Sequence, residues 1–373
     1  MAPGSFDVDV LIIVSSDPRY DTRSTKFLKT LRESGYKAKL VGVCSEGEPE
    51  RTDTLVRIPV NSKSGKKFFI DFYRNVIPEA RATSAKLIIA GDLFSLPPAI
   101  IGKRRYSTAT NPVRLIYDSK ELYRELPSLK VKKTSFMFWS LVEASAIRYV
   151  DAAFTVNKSI GEILGTRWDV PFTVIRNVPD KAPKPGLTKS FDKITLAFSG
   201  GLQPGRGLPS LVKLLTLLPE KYELEFIGDG ALKDELSQLS TSFRVSNRVR
   251  FLGRVPSAEV VPELSKAHLG IYLMENSGLC HYLALPNKFF QFITARLPVI
   301  VPGFPEMERI VNEYGIGAAV DTDDLNSVAK RVIEFTGDPA TYEKLTVNCE
   351  RAASELNWDA EKQSFLKAVG KLI

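Results

Sequence analysis

Residues 193–218 read KITLAFSGGLQPGRGLPSLVKLLTLL, and this stretch decides the fold. An apolar run, Lys193–Phe198, is followed by the turn SGGLQPGRG and then by a helical pattern that begins with LPSLV. The apolar run is continuous, without alternation of apolar and polar residues, which is typical of a strand buried on both faces of a parallel sheet. A strand, a turn and a helix in this order predict one repeating unit of a parallel α/β domain.

The same order opens the chain, where the run Asp9–Val14 precedes a polar turn and a helical pattern over residues 21–35. Further apolar runs are predicted to be strands. They are Ala38–Val43, Ala85–Ala90, Val113–Tyr117, Ala152–Val156 and Phe172–Ile175 in the first half, and Tyr222–Ile227, Val249–Leu252, Leu269–Leu273 and Pro298–Val301 in the second. The predicted fold class is α/β, with two Rossmann-like, doubly wound parallel-sheet domains.

Prolines, a glycine and many charges mark Pro179–Lys193 as a linker. It divides the 373 residues into an N-terminal domain at residues 1–180 and a C-terminal domain at residues 193–357. Residues 358–373 predict an amphipathic helix with no strand after it. Because ligands of open α/β sheets bind beyond the carboxyl ends of the strands, we expect the ligand in a cleft between the two domains.

The composition, 44% hydrophobic and 25% charged, is that of a globular protein. The net charge of +8 favours anionic ligands, among them nucleotide diphosphates and anionic membranes, and the absence of a nucleic-acid motif argues against nucleic acid. No secretory signal pattern and no apolar stretch of about 20 residues is present, which predicts a cytoplasmic protein. Cys44, Cys280 and Cys349 are expected to be reduced thiols.

The glycine-rich turn Ser199–Gly207 is the first candidate site. Its glycines allow a ligand to approach the backbone, and the helix that follows offers free N–H groups to an anion. Arg206 stands at the end of the turn, where it could donate two hydrogen bonds to a phosphate. The alternative is a tight turn with a surface arginine.

The second candidate is LPNKFFQF, residues 285–292, in which Pro286 and Asn287 indicate a helix start. Lys288 lies in the first turn, where a cation is unfavourable unless an anion is bound. Gln291 lies one turn further on the same face and could bond sugar or ribose hydroxyls. The alternative is an amphipathic core helix with buried phenylalanines.

Polar segments also follow strands in the N-terminal half, at DPRYDTR (17–23), YDSKELYRE (117–125) and IRNVP (175–179). They could contact an acceptor at the edge of the N-terminal sheet, or form a self-paired charged loop. The acceptor candidates are Asp17, Arg19, Asp118, Lys120 and Asn177. A turn-forming role for Asn177 is an equal alternative.

Several common chemistries have no counterpart in the sequence. It contains no G-x-S-x-G, no P-loop and no His/Cys metal cluster, so neither a metal nor a cofactor is expected. Of the two histidines, His268 precedes an apolar run and is interpreted as structural, whereas His281 could touch the sugar.

The stretch Leu129–Glu143 mixes lysines with Phe136, Phe138 and Trp139. Such a stretch can lie on an anionic membrane, where a lipid-linked acceptor would be presented. A buried aromatic core is the alternative.

In their order and spacing, these segments resemble the GT-B glycosyltransferases, in particular glycosyltransferase family 4 (glycosyl transferases group 1). The clearest stretch is LPNKFFQFITARLPVIVPGFPEMERIVNEYGIGAAVD, residues 285–321. SGGLQPGRG resembles the family's G-x-x-x-x-x-[KR]-G loop, and YELEFIGDGALKDEL its strand–GDG turn. ELNWDAEKQSFLKAV resembles its closing helix, which in this fold crosses back onto the first domain.

The resemblance implies roles for individual residues. Arg206 and Lys288 would be the catalytic cations that neutralise the leaving diphosphate, and amides near Gly200, Asn287 and Lys288 would also bind it. Gly201 stands where many members carry an arginine.

Gln291 stands at the second glutamate of a Glu-x7-Glu motif, which bonds the ribose, and Leu283 stands at the first. His281 and Glu275 are the candidates to replace that first carboxylate at the donor sugar. Lys120 stands where related sequences often have Asp-x-His-Glu.

By resemblance, the chain would be a retaining, metal-independent hexosyltransferase that moves a sugar from a nucleotide-diphosphate sugar to a glycan or lipid-linked acceptor. Surface polysaccharide or glycolipid assembly at the inner face of the membrane is the expected setting. One alternative is a sugar-nucleotide epimerase of the same fold, although that chemistry calls for more carboxylates and histidines. Another is a non-catalytic glycosyltransferase-like partner subunit, to which the departures at Leu283, Gly201 and Lys120 would point.

Overall fold

The computed structural model describes residues 6–62, 64–126, 129, 133–183 and 189–373. Residues 184–188 of the predicted linker and residues 130–132 of the predicted membrane stretch lie outside the described residues. The chain forms two compact units, one comprising Met1–Arg176 with Lys362–Ile373 and the other comprising Asn177–Glu361.

Each unit is built on one sheet. The strands of the first are β1 (Val8–Ile13), β2 (Ala38–Cys44), β3 (Glu50–Arg51), β4 (Leu55–Pro59), β5 (Ala85–Ala90), β6 (Arg114–Ser119), β7 (Ala152–Thr155) and β8 (Phe172–Val174), in the order β3-β4-β2-β1-β5-β6-β7-β8. Those of the second are β9 (Ile194–Ser199), β10 (Tyr222–Ile227), β11 (Val249–Gly253), β12 (Leu269–Ile271), β13 (Val299–Pro302) and β14 (Gly317–Val320), in the order β11-β10-β9-β12-β13-β14. All strand pairs are parallel except β3 with β4.

Helices alternate with the strands in both units. They are α1 (Thr22–Glu33), α2 (Gly65–Ala82), α3 (Leu96–Tyr106), α4 (Lys133–Ala146), α5 (Lys158–Trp168), α6 (Leu208–Leu214), α7 (Lys233–Ser242), α8 (Val260–Ser265), α9 (Leu279–Tyr282), α10 (Asn287–Thr294), α11 (Pro305–Tyr314), α12 (Leu325–Gly337), α13 (Pro339–Glu355) and α14 (Trp358–Gly370). This alternation confirms the predicted α/β class with two parallel sheets. Across the described ranges, every helix is too short or too polar to span a lipid bilayer.

The last helix packs within the first unit. Phe365 of α14 stacks on Phe27 of α1, with ring centroids 4.2 Å apart, and meets Phe154 of β7 edge-on at 5.9 Å. Buried aromatic pairs of this kind contribute beyond their apolar area. The chain therefore returns to its first sheet after completing the second.

Candidate functional site: a glycine-lined cationic pocket

The glycine-rich loop after β9 is held in place by backbone contacts that tolerate no side chain. Gly207 has φ +65°, and a Cβ there would lie 1.8 Å from the carbonyl oxygen of Leu273. Gly228 has φ +148°, and its Cβ would lie 2.0 Å from the carbonyl oxygen of Gly200. Glycine is the residue that accepts both the positive φ and the close approach. The loop is thus fixed against the ends of β10 and β12.

Hydrogen bonds join this loop to the turn that follows β10. Gly200 N–H donates to the carbonyl of Ile227 at 2.9 Å, and Leu202 N–H donates to that of Asp229 at 3.0 Å. The amide of Gly200 itself is therefore occupied, whereas the resemblance assigns the diphosphate to the amides near Gly200. The amide of Gly201 has no acceptor among the described residues and is the loop amide that an anion can use.

Helix α10 begins where the sequence predicted a helix start, with Pro286 as its N-cap residue in extended conformation. Phe289 N–H donates to the carbonyl of Pro286, whereas the amides of Asn287 and Lys288 find no acceptor in the described part of the chain. Unpaired amides in a first turn, together with the helix dipole, favour an anion.

Lys288 is buried, with 9% of its surface exposed. Its ammonium lies 4.3 Å from the ring centroid of Tyr272 and 4.9 Å from that of Phe198. No carboxylate among the described residues forms an ion pair with it. Burial, and secondarily the charge of Arg206, lower the pKa of Lys288 to about 7. The ring faces offset part of that cost, because their negative faces attract a cation.

Arg206 and Lys288 converge on Gly200. A Cβ placed on Gly200 would lie 3.2 Å from Lys288 Nζ and 3.4 Å from Arg206 Nη1. Arg206 Nη1 also donates to the carbonyl of Gly201 at 2.7 Å, and no acid of the described chain pairs with this guanidinium. Two cations this close repel each other unless an anion lies between them. The pocket therefore suits a phosphate or diphosphate.

The structure also gives the contacts of the residues predicted to bind the ribose and the donor sugar. Gln291 accepts a hydrogen bond from the Ser199 hydroxyl at 3.2 Å through Oε1, and its amide nitrogen has no acceptor among the described residues. His281 Nδ1 is hydrogen-bonded to the Ser277 hydroxyl. Glu275 has an exposed side chain, and its backbone N–H donates to the carbonyl of Gly205 at 3.1 Å.

Leu283, at the position of the missing glutamate, is buried with 6% of its surface exposed. The sequence reasoning missed the aromatic contacts of Lys288, because Tyr272 and Phe198 belong to apolar runs that also read as core. Side chains of a strand alternate between the two faces of the sheet, and this alternation was the signal that could have shown which face Tyr272 and Phe198 occupy.

In the first unit, the charged side chains of the loop after β1 pair with residues of other segments. Asp17 accepts two hydrogen bonds from Arg57, at 2.8 and 2.7 Å. Arg19 has an exposed guanidinium 3.8 Å from Glu50. Asn177 is half-buried at the start of the second unit.

Asp118 does not reach the surface, which corrects its prediction as an acceptor contact. Its side chain is fully buried and accepts from Arg23 Nε and Nη2, both at 2.7 Å. Arg23 also donates to the carbonyl of Ile175 at 2.6 Å. Asp118 at the end of β6 therefore fixes α1 to the sheet, and no surface remains on it for a substrate.

Replacing Asp118 with asparagine should lower the free energy of unfolding by about 3 kcal/mol, because it leaves the buried guanidinium of Arg23 without its counter-charge. Urea unfolding measures the loss. The control Asp53→Asn changes an exposed carboxylate and should stay within about 0.5 kcal/mol of the parent protein. Equal stability of Asp118→Asn and the parent protein would contradict the structural role.

A second ionic cluster at the same sheet edge includes one residue that sequence reasoning missed. Lys120 Nζ lies 2.7 Å from Asp21 Oδ2, with 23% of the lysine side chain exposed. Asp92, after β5, accepts hydrogen bonds from Ser15 N–H and Oγ at 2.8 and 2.9 Å, and burial raises its pKa although Lys120 opposes the shift. Its position after a predicted strand was the signal that could have marked it.

Comparisons with known proteins agree with this fold. Residues 182–353 match the family model described as Glycosyl transferases group 1. Sucrose-phosphate synthase from Thermosynechococcus elongatus superposes with TM-score 0.79 at 16% identity, covering 98% of this chain and 99% of that chain. Anabaena HepE in complex with UDP superposes with TM-score 0.72 at 13% identity, covering 97% of this chain and 100% of that chain. The lipopolysaccharide outer core galactosyltransferase WaaB, in its apo form, superposes with TM-score 0.67 at 13% identity, covering 98% of this chain and 100% of that chain.

No curated protein matches the chain in sequence. The structural likeness extends over nearly the full length, and the family match covers the glycine-rich loop and the start of α10, where Arg206 and Lys288 meet. The chain has the fold of the GT-B glycosyltransferases, and residues 182–353 match the glycosyl transferases group 1 family.

Proposed function

We propose that the protein is a retaining glycosyltransferase that takes a sugar from a nucleoside-diphosphate sugar and passes it to a glycan or lipid-linked acceptor. The observation that carries this proposal is the convergence of Arg206 and Lys288 on the backbone of Gly200, without an acidic partner among the described residues. Structures of Anabaena HepE in complex with UDP and with UDP-glucose support UDP as the first nucleotide to test.

The diphosphate would lie between the two cations and accept hydrogen bonds from the amides of Gly201, Asn287 and Lys288. Gln291, whose amide nitrogen is available, would bond the ribose. His281 and Glu275 are the proposed contacts of the transferred sugar. The Arg206 and Lys288 charges would stabilise the negative charge of the leaving diphosphate, as a metal ion does in other enzymes. We therefore expect turnover to persist in the presence of a chelator.

In the proposed reaction, the bond between the anomeric carbon and the diphosphate breaks, and the acceptor oxygen forms its bond on the same face of the sugar. The acceptor's proton passes to the departing phosphate oxygen, so the products are the glycoside and the nucleoside diphosphate. The protein positions the reactants and stabilises charge on the leaving group. The Lys120–Asp21 pair, in which 23% of the lysine side chain is exposed, is the proposed acceptor contact of the first unit in place of Asp118.

A thermal-shift screen against UDP, GDP and TDP, followed by transfer and hydrolysis assays with the corresponding sugars, tests the proposal. Stabilisation by one nucleotide and release of that nucleotide in the presence of acceptor would support it. Interconversion of the nucleotide sugar without transfer would identify an epimerase. Absence of both stabilisation and turnover would identify a non-catalytic subunit. We propose a place in surface polysaccharide or glycolipid assembly, at the cytoplasmic face of the membrane.

The affinity for UDP-glucose should depend on pH through Lys288. Its pKa is lowered to about 7 in the empty pocket, and a bound diphosphate will raise it, so binding takes up a proton above pH 7. Affinity is therefore greatest near or below pH 7 and falls by up to about tenfold per pH unit above it. Titration calorimetry in buffers of different ionisation enthalpy measures this uptake.

The parent protein is compared with Lys288→Met, which cannot bind the proton. The affinity of this variant for UDP-glucose should not fall in this way as the pH rises. UDP-glucose is the suitable ligand because neither of its phosphates titrates in this range. A parent protein whose affinity stays constant between pH 6.5 and pH 8.5 would contradict the assignment; these limits bracket the pKa of about 7.

A further inference from the structure

Helix α4 of the first unit is apolar on two sides. Trp139 packs into the core with 5% of its surface exposed, whereas Met137, Phe138 and Leu141 are exposed by 61%, 56% and 69%. Residues three and four positions apart share one face of a helix, so the exposed side chains form a continuous apolar strip. A helix that is apolar all round is normally covered on both sides.

Helix α2 begins beside α4. Phe69 of α2 contacts Trp139 of α4 with ring centroids 4.7 Å apart, which brings the first turns of α2 beside α4. Ile70 there is 64% exposed. We call Ile70, Met137, Phe138 and Leu141 together the apolar α4 surface. Exposed apolar patches of this kind mark sites of contact with a protein or a membrane.

Positive charge flanks the apolar α4 surface. Lys66 and Lys67 are exposed at the start of α2, and Lys133 is exposed at the start of α4.

The acidic residue of α4, Glu143, is buried and does not lie on this surface. Glu143 has 1% of its side chain exposed and pairs with Arg124, its Oε2 lying 3.2 Å from Arg124 Nε. The helix therefore offers apolar side chains and cations without an exposed carboxylate of its own.

We propose that the apolar α4 surface docks the protein on an anionic lipid bilayer. A bilayer interface accepts apolar side chains to a depth of about 5–10 Å while its headgroups attract flanking lysines and arginines. A second copy of the chain fits less well, because it would bring the same cations face to face. The occupant that matches both the apolar strip and the charge is the membrane.

The docking itself does not depend on the transferase activity. If the proposed function is correct, docking also selects the acceptor, because it holds the first unit at the surface where lipid-linked glycans are presented. This part rests on the proposed function. The acceptor would then be a glycan on a lipid anchor rather than a free sugar.

Vesicle co-sedimentation of the full chain tests the docking. The protein should bind vesicles that contain phosphatidylglycerol and bind pure phosphatidylcholine vesicles at least tenfold more weakly, since each basic residue near an anionic surface adds to the attraction. The triple variant Met137→Ser, Phe138→Ser, Leu141→Ser should lose about 100-fold in affinity, because it removes three exposed apolar side chains that would insert into the bilayer interface. Lys66→Glu with Lys67→Glu should lose more than tenfold on anionic vesicles.

The matched control replaces three exposed apolar residues of the second unit, Leu217→Ser, Ile333→Ser and Val347→Ser, which are 41%, 41% and 57% exposed. This control should bind vesicles like the parent protein. Equal binding by the α4 variant and the control would overturn the proposal. The proposal would also be overturned if the parent protein does not bind vesicles but sediments as a dimer that the α4 substitutions dissociate.

The affinity of each variant for UDP separates this proposal from the function proposed above. Variants of the apolar α4 surface should bind UDP like the parent protein, since their changes lie in the first unit. Failure of vesicle binding with intact UDP binding defeats the docking alone. Vesicle binding without any nucleotide binding or sugar transfer defeats the transferase proposal alone.

Discussion

Lys288→Met should lower turnover about 10²–10³-fold without lowering the stability of the ligand-free protein. The loss follows from removing one of two preorganised charges at the leaving group, an effect of this size where such partners have been deleted. Methionine is also unbranched and fills the space beside Tyr272 and Phe198 with an apolar side chain, so packing is preserved. Arg206→Ala should lower turnover to a similar extent.

The unchanged or raised stability of Lys288→Met has a separate cause. The pKa of Lys288 is lower in the folded chain than in the unfolded chain, so the charge opposes folding below the unfolded pKa, and most fully below pH 7. Methionine removes that opposition. The gain in free energy of unfolding over the parent protein should therefore be larger at pH 6 than at pH 9, as urea unfolding can measure.

Lys189 provides a matched control within the same unit. Burial lowers its pKa to about 8, but its ammonium is used structurally, donating to the carbonyl of Ala267 and to the Tyr342 hydroxyl, the latter at 3.3 Å. Lys189→Met should lower stability by about 1–3 kcal/mol, because a buried carbonyl loses its donor, and should leave UDP affinity unchanged. Equal UDP affinities of Lys288→Met and Lys189→Met would contradict a ligand-binding role for Lys288.

Gly207→Ala should prevent the second unit from folding natively, or lower its free energy of unfolding by more than about 4 kcal/mol. The added Cβ would lie 1.8 Å from the carbonyl oxygen of Leu273, a rigid backbone atom, and the backbone φ of +65° adds strain. Soluble yield and urea unfolding measure the effect. UDP-induced stabilisation should vanish with it, because the loop carries Arg206.

Gly205→Ala is the control for this prediction. Gly205 has φ +78°, but a Cβ there meets no atom within 4 Å, so only backbone strain of about 1 kcal/mol is expected. Comparable losses at positions 205 and 207 would show that positive φ, and not the contact with Leu273, governs the loop.

Most of the fold could be predicted from the sequence because its strands are continuous apolar runs. β5 and β10 have the predicted bounds, and the other predicted strands differ by one or two residues at their ends. β3, β4 and β14 were missed. β3 has only two residues, at the sheet edge, and β14 is Gly-Ala-Ala-Val, a composition that does not favour a strand.

The site was predictable in part. A cation in a first helical turn and a glycine-rich turn after a strand identified Lys288 and Arg206 as candidates, since both features depend on local sequence. Contacts between distant segments were not accessible. The pairing of Asp118 with Arg23, 95 positions away, and the bond from the Gly200 amide to Ile227 became apparent only in the fold.

The central claim is that Arg206 and Lys288 form a diphosphate pocket with the amide of Gly201. A crystal structure of the protein grown with saturating UDP tests it most directly. We predict diphosphate oxygens at about 3 Å from the Arg206 guanidinium, Lys288 Nζ and the Gly201 amide. UDP bound at another place, or bound here with both cations directed away from its phosphates, would contradict the account.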